Sequence, residues 1–184
     1  MNETKSLSIS TGTVRLAVSA VFLLVFGTVF VLLLGGSLQP YKIDQNSMQP
    51  TLHPGDYVMT KRFDPDGPGP KRGDIVIIHN PLSSAENDFF VKRVVALPGD
   101  TFEIREGGAL YINGQLVPEP YIEEPPTYWT PRPLHIKEGH YVVLGDNRNH
   151  SEDSSVWNES IDRDEIVSKV LFIYRPLNRF GPVH

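Results

Sequence analysis

The 184-residue chain contains no cysteine. That absence excludes a thiol nucleophile, thiolate-bound metals and a disulfide framework, and it leaves the compartment open, because a domain with a sufficient core needs no crosslinks. A basic stripe is missing as well. Seventeen Lys and Arg stand against 22 Asp and Glu, a formal net charge of −5, so nucleic acid is not an expected partner. The six histidines, His53, His79, His135, His140, His150 and His184, show neither H-E-x-x-H nor another ligand spacing, and neither a metal nor another cofactor is expected. No internal repeat of roughly 20–50 residues is visible.

Charge is also absent from one long stretch. Residues 16–36 read LAVSAVFLLVFGTVFVLLLGG, and the next charged residue is Lys42. The mean hydropathy of −0.21 therefore averages one very apolar segment with a polar remainder. At ~1.5 Å per helical residue this run reaches across a hydrocarbon core of ~30 Å. The alternative is a cleavable signal peptide with Lys5 and Arg15 in its n-region. Such peptides have apolar parts of roughly 7–15 residues and end at a small-residue site, which is not evident here. The expectation is a retained anchor over 16–36 in a lipid bilayer. Lys5 and Arg15 would keep a tail of residues 1–15 in the cytoplasm, with the body, 37–184, on the outer face.

Beyond Ser37 the pattern becomes one of short β-type runs: Asp56–Lys61, Ile75–His79, Phe89–Leu97, Thr101–Arg105, Leu110–Val117, Tyr141–Leu144 and Lys169–Tyr174. They are rich in Val, Ile, Phe and Tyr and are separated by Pro, Gly and Asp. Glu106-Gly107-Gly108 and Asn113-Gly114 read as tight turns. Asp64–Gly73 and the Pro-rich Pro118–Pro133 read as surface loops, and Asp162–Ile166 as one short helical turn. The fold class expected is mostly β, with antiparallel strands hung from one N-terminal transmembrane helix.

Three segments carry groups capable of chemistry. Asn46–Leu52 places Ser47 in a Pro-punctuated turn, where a hydroxyl can be presented by a rigid scaffold; most turn serines only satisfy nearby backbone groups. In Phe89–Asp100, strand alternation sets Phe90, Lys92 and Val94 on one face and Val91, Arg93 and Val95 on the other. Burial lowers a lysine pKa, so Lys92 could act as a neutral base, whereas arginine does not deprotonate. The bland reading is a pair of cations snorkelling at a sheet edge. Gly145–Ser154 is a dense polar loop behind the strand Tyr141–Leu144, and its plain reading pairs Asp146 with Arg148.

Taken in order behind one N-terminal span, SMQPTL, GDYVMTKR, KRVVALPGD and GDNRNHSEDS resemble the signature boxes of type I signal peptidases. The resemblance runs from the anchor to about Trp157, and it rests on four boxes in the right order. It implies coiled antiparallel β-sheets beside the membrane. It implies a serine endopeptidase that cuts exported preproteins after A-x-A signal sequences, with no cofactor or metal. By position, Ser47 matches the nucleophile and Lys92 the general base. Ser151 matches a serine whose hydroxyl helps hold the lysine amine, and Asp146 and Asp153 match supporting loop acids. The backbone N–H of Ser47 is the expected first oxyanion donor. Ile43, Met48, Leu52, Phe90 and Val91 match an apolar lining with room for small side chains only. A Ser–Lys dyad needs no histidine, because a desolvated amine can take the serine proton directly.

The sequence departs from that pattern in three places. Gln45 stands where many members have a serine as a side-chain oxyanion donor. Ser155 replaces an arginine that pairs with loop acids, a role for which Arg148 is the candidate substitute, and Asn158 replaces a glycine. These changes raise the alternative of a weak or inactive relative that binds preproteins or export partners without cutting. A self-cleaving repressor with the same dyad would need a DNA-binding domain where this chain has its apolar span. A bacterial plasma membrane is the expected location, with thylakoid and organelle inner membranes as other possibilities.

Overall fold

The computed structural model describes residues 11–35, 37–85 and 88–183. They divide into two compact units between Ser37 and Leu38. The first is helix α1, Thr11–Gly35. Its window Val14–Val31 has a mean hydropathy of 2.3, which makes it long and apolar enough to cross a membrane. Its large side chains, among them Leu16, Phe22 and Leu24, are exposed, so nothing in its own unit covers them. Lys5, the rest of the tail up to residue 10, and Gly36 lie outside the described residues.

The second unit is built from twelve strands: β1 Leu38–Lys42, β2 Tyr57–Arg62, β3 Ile75–His79, β4 Phe89–Ala96, β5 Thr101–Ile104, β6 Leu110–Ile112, β7 Gln115–Leu116, β8 Leu134–His135, β9 His140–Leu144, β10 Ile161–Asp162, β11 Ile166–Arg175 and β12 Gly181–Pro182. One helical turn, α2, spans Ser154–Trp157. The large sheet runs β1-β2-β11-β3-β4-β9-β10, with β12 on β11, and the small sheet runs β7-β6-β5-β8. Every pairing is antiparallel. Register shifts along β11 and between β4 and β9 bend and twist the strands they interrupt, which curls the sheet. The mostly β, coiled antiparallel class expected from the sequence is what forms.

Burial follows from side-chain alternation. In β3, Ile75 and Ile77 join a cluster with Ile43, Met48, Leu52 and Val58, while Val76 and Ile78 join another with Phe90, Val94 and Tyr141. Both faces are covered, so the run is apolar throughout. In β4 the partner register skips Val95, because Val94 faces Val143 and Ala96 faces Val142. This bulge turns both Val95 and Ala96 into a third cluster with Phe102, Ile104 and Leu110, against strict alternation.

Several element boundaries differ from the sequence expectation. The tight turn expected at Asn113-Gly114 forms, with both residues at positive φ, and it divides the run Leu110–Val117 into β6 and β7. β1 covers the stretch before Ile43 despite Pro40, which an edge strand tolerates. The two-residue strands β8, β10 and β12 have no local signal; their partners alone define them.

Candidate active site

Ser47 lies on a loop from Ile43 to Asp56 that joins β1 to β2. The loop is closed at its base, where Ile43 N–H donates to Asp56 O at 2.8 Å and Gly55 N–H donates to Ile43 O at 2.7 Å. Met48 and Leu52 are buried in the core beneath it. Those two anchors leave Ser47 at the surface of the packed interior, 6% exposed. Its backbone is fixed from the facing loop. Asn147 N–H donates to Ser47 O at 3.0 Å, and Asn147 Nδ2 donates to Asn46 O at 3.2 Å.

Lys92, on β4, is 1% exposed, and its Nζ donates to Ser47 Oγ at 3.0 Å. The two residues are 45 positions apart in sequence, and it is the β3–β4 pairing and the loop between β1 and β2 that bring them together. Nζ also sits 4.9 Å from the centre of the Phe90 ring. Desolvation lowers the lysine pKa to about 8, partly opposed by the negative charges of Asp153 and Glu152. At that value a minority of the amine, roughly a tenth at pH 7, is neutral, and a neutral amine can accept a proton along this same contact.

The loop after β9 closes the site from behind. Gly145 lies where a Cβ would overlap the Ser47 carbonyl oxygen and the Ser151 side chain. Gly145→Ala is expected to lower stability by about 1–3 kcal/mol as an overpacked contact and to displace the Ser47 backbone. Urea denaturation together with preprotein cleavage rates will check both effects. Asp153 caps α2: its Oδ1 accepts from Ser155 N–H at 3.0 Å and Ser155 Oγ at 2.7 Å, and its Oδ2 accepts from Gly145 N–H at 2.9 Å. Ser155, in the position expected of an arginine, thus meets the loop acid through a hydroxyl. Asn158 ends α2 at φ 56°, a left-handed conformation that asparagine accepts better than other non-glycine residues. This accounts for its standing in a glycine position.

Three expectations are corrected here. Asp146 does not pair with Arg148. Its carboxylate takes Arg93 Nε at 2.8 Å and Nη2 at 2.7 Å, and it accepts from Thr51 Oγ1 on the Ser47 loop. Arg148 turns the other way, donating to both oxygens of Glu119 and, through Nε, to Gly145 O at 3.0 Å. It does not substitute for the missing arginine, because its guanidinium is engaged by the Pro-rich segment rather than by Asp153. Among the described residues, Ser151 Oγ is buried without a hydrogen-bond partner. The bond expected to Lys92 is not formed, and the serine packs against Gly145 instead.

A cleft of about 290 Å³ opens beside Ser47. Tyr41, Ile43 and Gln45 line it from β1 and the loop after it, and Phe89 and Val91 from β4, with Met48 and Ile77; the charged Lys42, Asp44 and Asp88 also border it. Of the expected lining, Ile43, Met48 and Val91 border this cleft. Leu52 and Phe90 are not: Leu52 is wholly buried under the loop, and Phe90 points into the core, stacked on Trp157. Both strands present an edge here. β1 ends the large sheet, and β9 covers β4 only from Arg93 onward, so among the described residues Phe89–Lys92 have β3 on one side alone. Tyr41 and Phe89 touch edge to face across the cleft, ring centres 5.7 Å apart. Composition did not reveal Tyr41 or Phe89 as lining, because only the sheet order shows which strand edges stay open.

The sequence is similar to proteins of one family. The family described as "Signal peptidase, peptidase S26" matches residues 13–175. A probable signal peptidase I-1 of Synechocystis is 38% identical over 148 residues, 78% of this chain and 74% of that protein. Signal peptidase I of Bacillus licheniformis is 35% identical over 168 residues, 84% of this chain and 87% of the relative. A chloroplastic thylakoidal processing peptidase 1 of Arabidopsis thaliana is 36% identical across 81% of this chain and 45% of its own length. The buried amine against a hydroxyl, on a curled β domain, is thus found in a chain that belongs to the signal peptidase, peptidase S26, family.

Proposed function

We propose that Ser47 is the nucleophile and Lys92 the general base of this membrane signal peptidase, a serine endopeptidase acting on preproteins that carry signal peptides. The contact of 3.0 Å between Lys92 Nζ and Ser47 Oγ in a buried setting carries the reading. A serine hydroxyl is a weak nucleophile until a positioned base takes its proton.

The substrate enters the cleft extended and pairs with the open edges of β1 and β4 as an added strand. The small cleft volume and the apolar side chains of Met48 and Ile77 favour short side chains such as alanine on either side of one that points to solvent. Ser47 Oγ attacks the scissile carbonyl carbon while its proton passes to Lys92 Nζ. The oxyanion meets the backbone N–H of Ser47, with the exposed Gln45 amide within the same cleft as a second donor. As the intermediate collapses, the C–N bond breaks and Lys92 returns the proton to the departing amine. Water, deprotonated by the same amine, then attacks the acyl-enzyme, and the proton goes back to Ser47. Asp153 and Asp146 support the site by fixing Gly145, α2 and Arg93. The helix α1 anchors the protein in the bilayer of a bacterial plasma membrane, with the N-terminus cytoplasmic and the catalytic unit on the outer face, as the basic residues ahead of the span favour.

Purified protein in detergent tests the reading through its pH profile. With an amine titrating at about 8, kcat/KM should rise with pH up to that value and level off above it. Below it the slope should be about tenfold per pH unit, since only the neutral form acts as base. A rate that stays flat down to about pH 5 would rule out a neutral lysine base.

A further inference from the structure

The residues after β11 fold back over the nucleophile loop. β12 pairs with β11 through Pro182 opposite Phe172 and Gly181 opposite Ile173. Val183 packs on the cluster that contains Met48 and Leu52, and the Phe180 ring lies 6.1 Å from Phe172. This docking holds Arg179 in a fixed place. Its Nε donates to Asp56 Oδ1 at 2.9 Å and its Nη2 to Asp56 Oδ2 at 2.9 Å, while Nη2 also donates to the Thr51 carbonyl at 3.1 Å. Asp56, whose side chain is 2% exposed, also accepts from His53 N–H at 2.8 Å.

We infer that Arg179 is a positioning residue that locks the Ser47 loop in its reactive geometry by tying the base of the loop, Asp56, to its far limb, Thr51. Arg179 lies past residue 175, where the family match stops. The loop has two external ties at Thr51. The hydroxyl reaches Asp146 on the catalytic loop, and the carbonyl reaches Arg179. Between them they fix the segment just after Met48, so the orientation of Ser47 Oγ toward Lys92 does not depend on the loop's own backbone bonds alone. A guanidinium suits the task because its fork meets a carboxylate bidentately and still offers a hydrogen to a carbonyl; an ammonium is a point charge and cannot span both.

This inference rests on Ser47 being the nucleophile, and the experiment keeps the two apart. Arg179→Ala, Arg179→Lys, Arg105→Ala and Ser47→Ala are compared for kcat, KM and melting temperature on a preprotein substrate. Arg179→Ala should lose about 10- to 100-fold in kcat with KM little changed, the scale of a misplaced reacting group. Guanidinium ion below denaturing concentration should restore part of that loss. Arg179→Lys keeps a cation beside Asp56 and should melt close to wild type, yet still lose kcat. Arg105→Ala removes an exposed pair with Glu103 on the small sheet and should change nothing. Wild-type kcat in Arg179→Lys, or a loss in Arg179→Ala that guanidinium does not relieve, overturns the positioning role. Activity in Ser47→Ala overturns the nucleophile instead.

Discussion

Ser47→Ala and Lys92→Met are each expected to cut an A-x-A preprotein about 10⁴-fold more slowly than wild type, and the double variant should be no slower than either single one. The lack of additivity follows from the dyad acting as a unit: a hydroxyl without its base and a base without its hydroxyl are equally idle. Methionine is the informative replacement. Lys92 is almost wholly buried and borders Phe90 and Val94 along its strand, so an apolar chain of similar length fills the space and removes a group that is costly to desolvate. The Lys92→Met protein should therefore melt at or above the wild-type temperature while being inactive. Single-turnover cleavage and a thermal scan on one preparation decide the matter. Persistent turnover in Ser47→Ala would mean another nucleophile, and in Lys92→Met another group activating Ser47 Oγ; in either case the dyad assignment would fall.

The second large effect concerns stability. Glu119→Ala is expected to destabilise the catalytic unit by about 3–5 kcal/mol, the scale for a buried charge stripped of its partner. Arg148 is 2% exposed and meets both oxygens of Glu119, while Tyr121 Oη donates to the same carboxylate at 2.7 Å. Removing Glu119 strands a guanidinium and a hydroxyl together. Replacing both charged partners with apolar residues, Glu119→Leu with Arg148→Met, should recover most of the stability, because a buried pair seldom contributes more than well-packed side chains of similar volume. Activity should not return in step. Arg148 Nε holds the Gly145 carbonyl, and Gly145 sits against Ser47 and Ser151. Urea midpoints and kcat, measured side by side, separate the two roles. Near-wild-type stability for Glu119→Ala would mean that this pair is not a keystone of the Pro-rich segment.

Much of the candidate site was legible because its residues are packed into short motifs. Ser47 and Lys92 each stand in a box that can be matched position by position, and apolar alternation placed the strands that carry or flank them. The partners of the buried arginines were not legible. Reading Asp146 against Arg148 is the natural local choice, two positions apart in one polar loop. The folded chain instead sends Asp146 to Arg93, 53 positions away, and Arg148 to Glu119, 29 positions away. Which cation meets which carboxylate depends on the β4–β9 register and on the path of the Pro-rich segment, and neither leaves a local trace. Leu52 and Phe90 failed as lining for a related reason. Membership of a motif says that a residue is near the site, but the direction of its side chain is set by the loop and by the strand face. Asn158 shows the opposite case, in which a departure from the expected glycine is explained once its backbone angle is seen.

The bulge at Val95 has a consequence for how such a chain can vary. Past it, β4 hands its side chains from the clusters beneath the dyad to a separate cluster shared with the small sheet. The hairpin at Asn113-Gly114 joins β6 to β7 at one edge of that small sheet, and Asn113 bonds to Asp100 and Thr101 at the start of β5, so added length beyond it draws on a core to which neither Ser47 nor Lys92 belongs. Surface insertions cost little in loop closure, which grows only slowly with length. The small sheet is therefore a place where added length would leave the spacing of Ser47 and Lys92 unchanged.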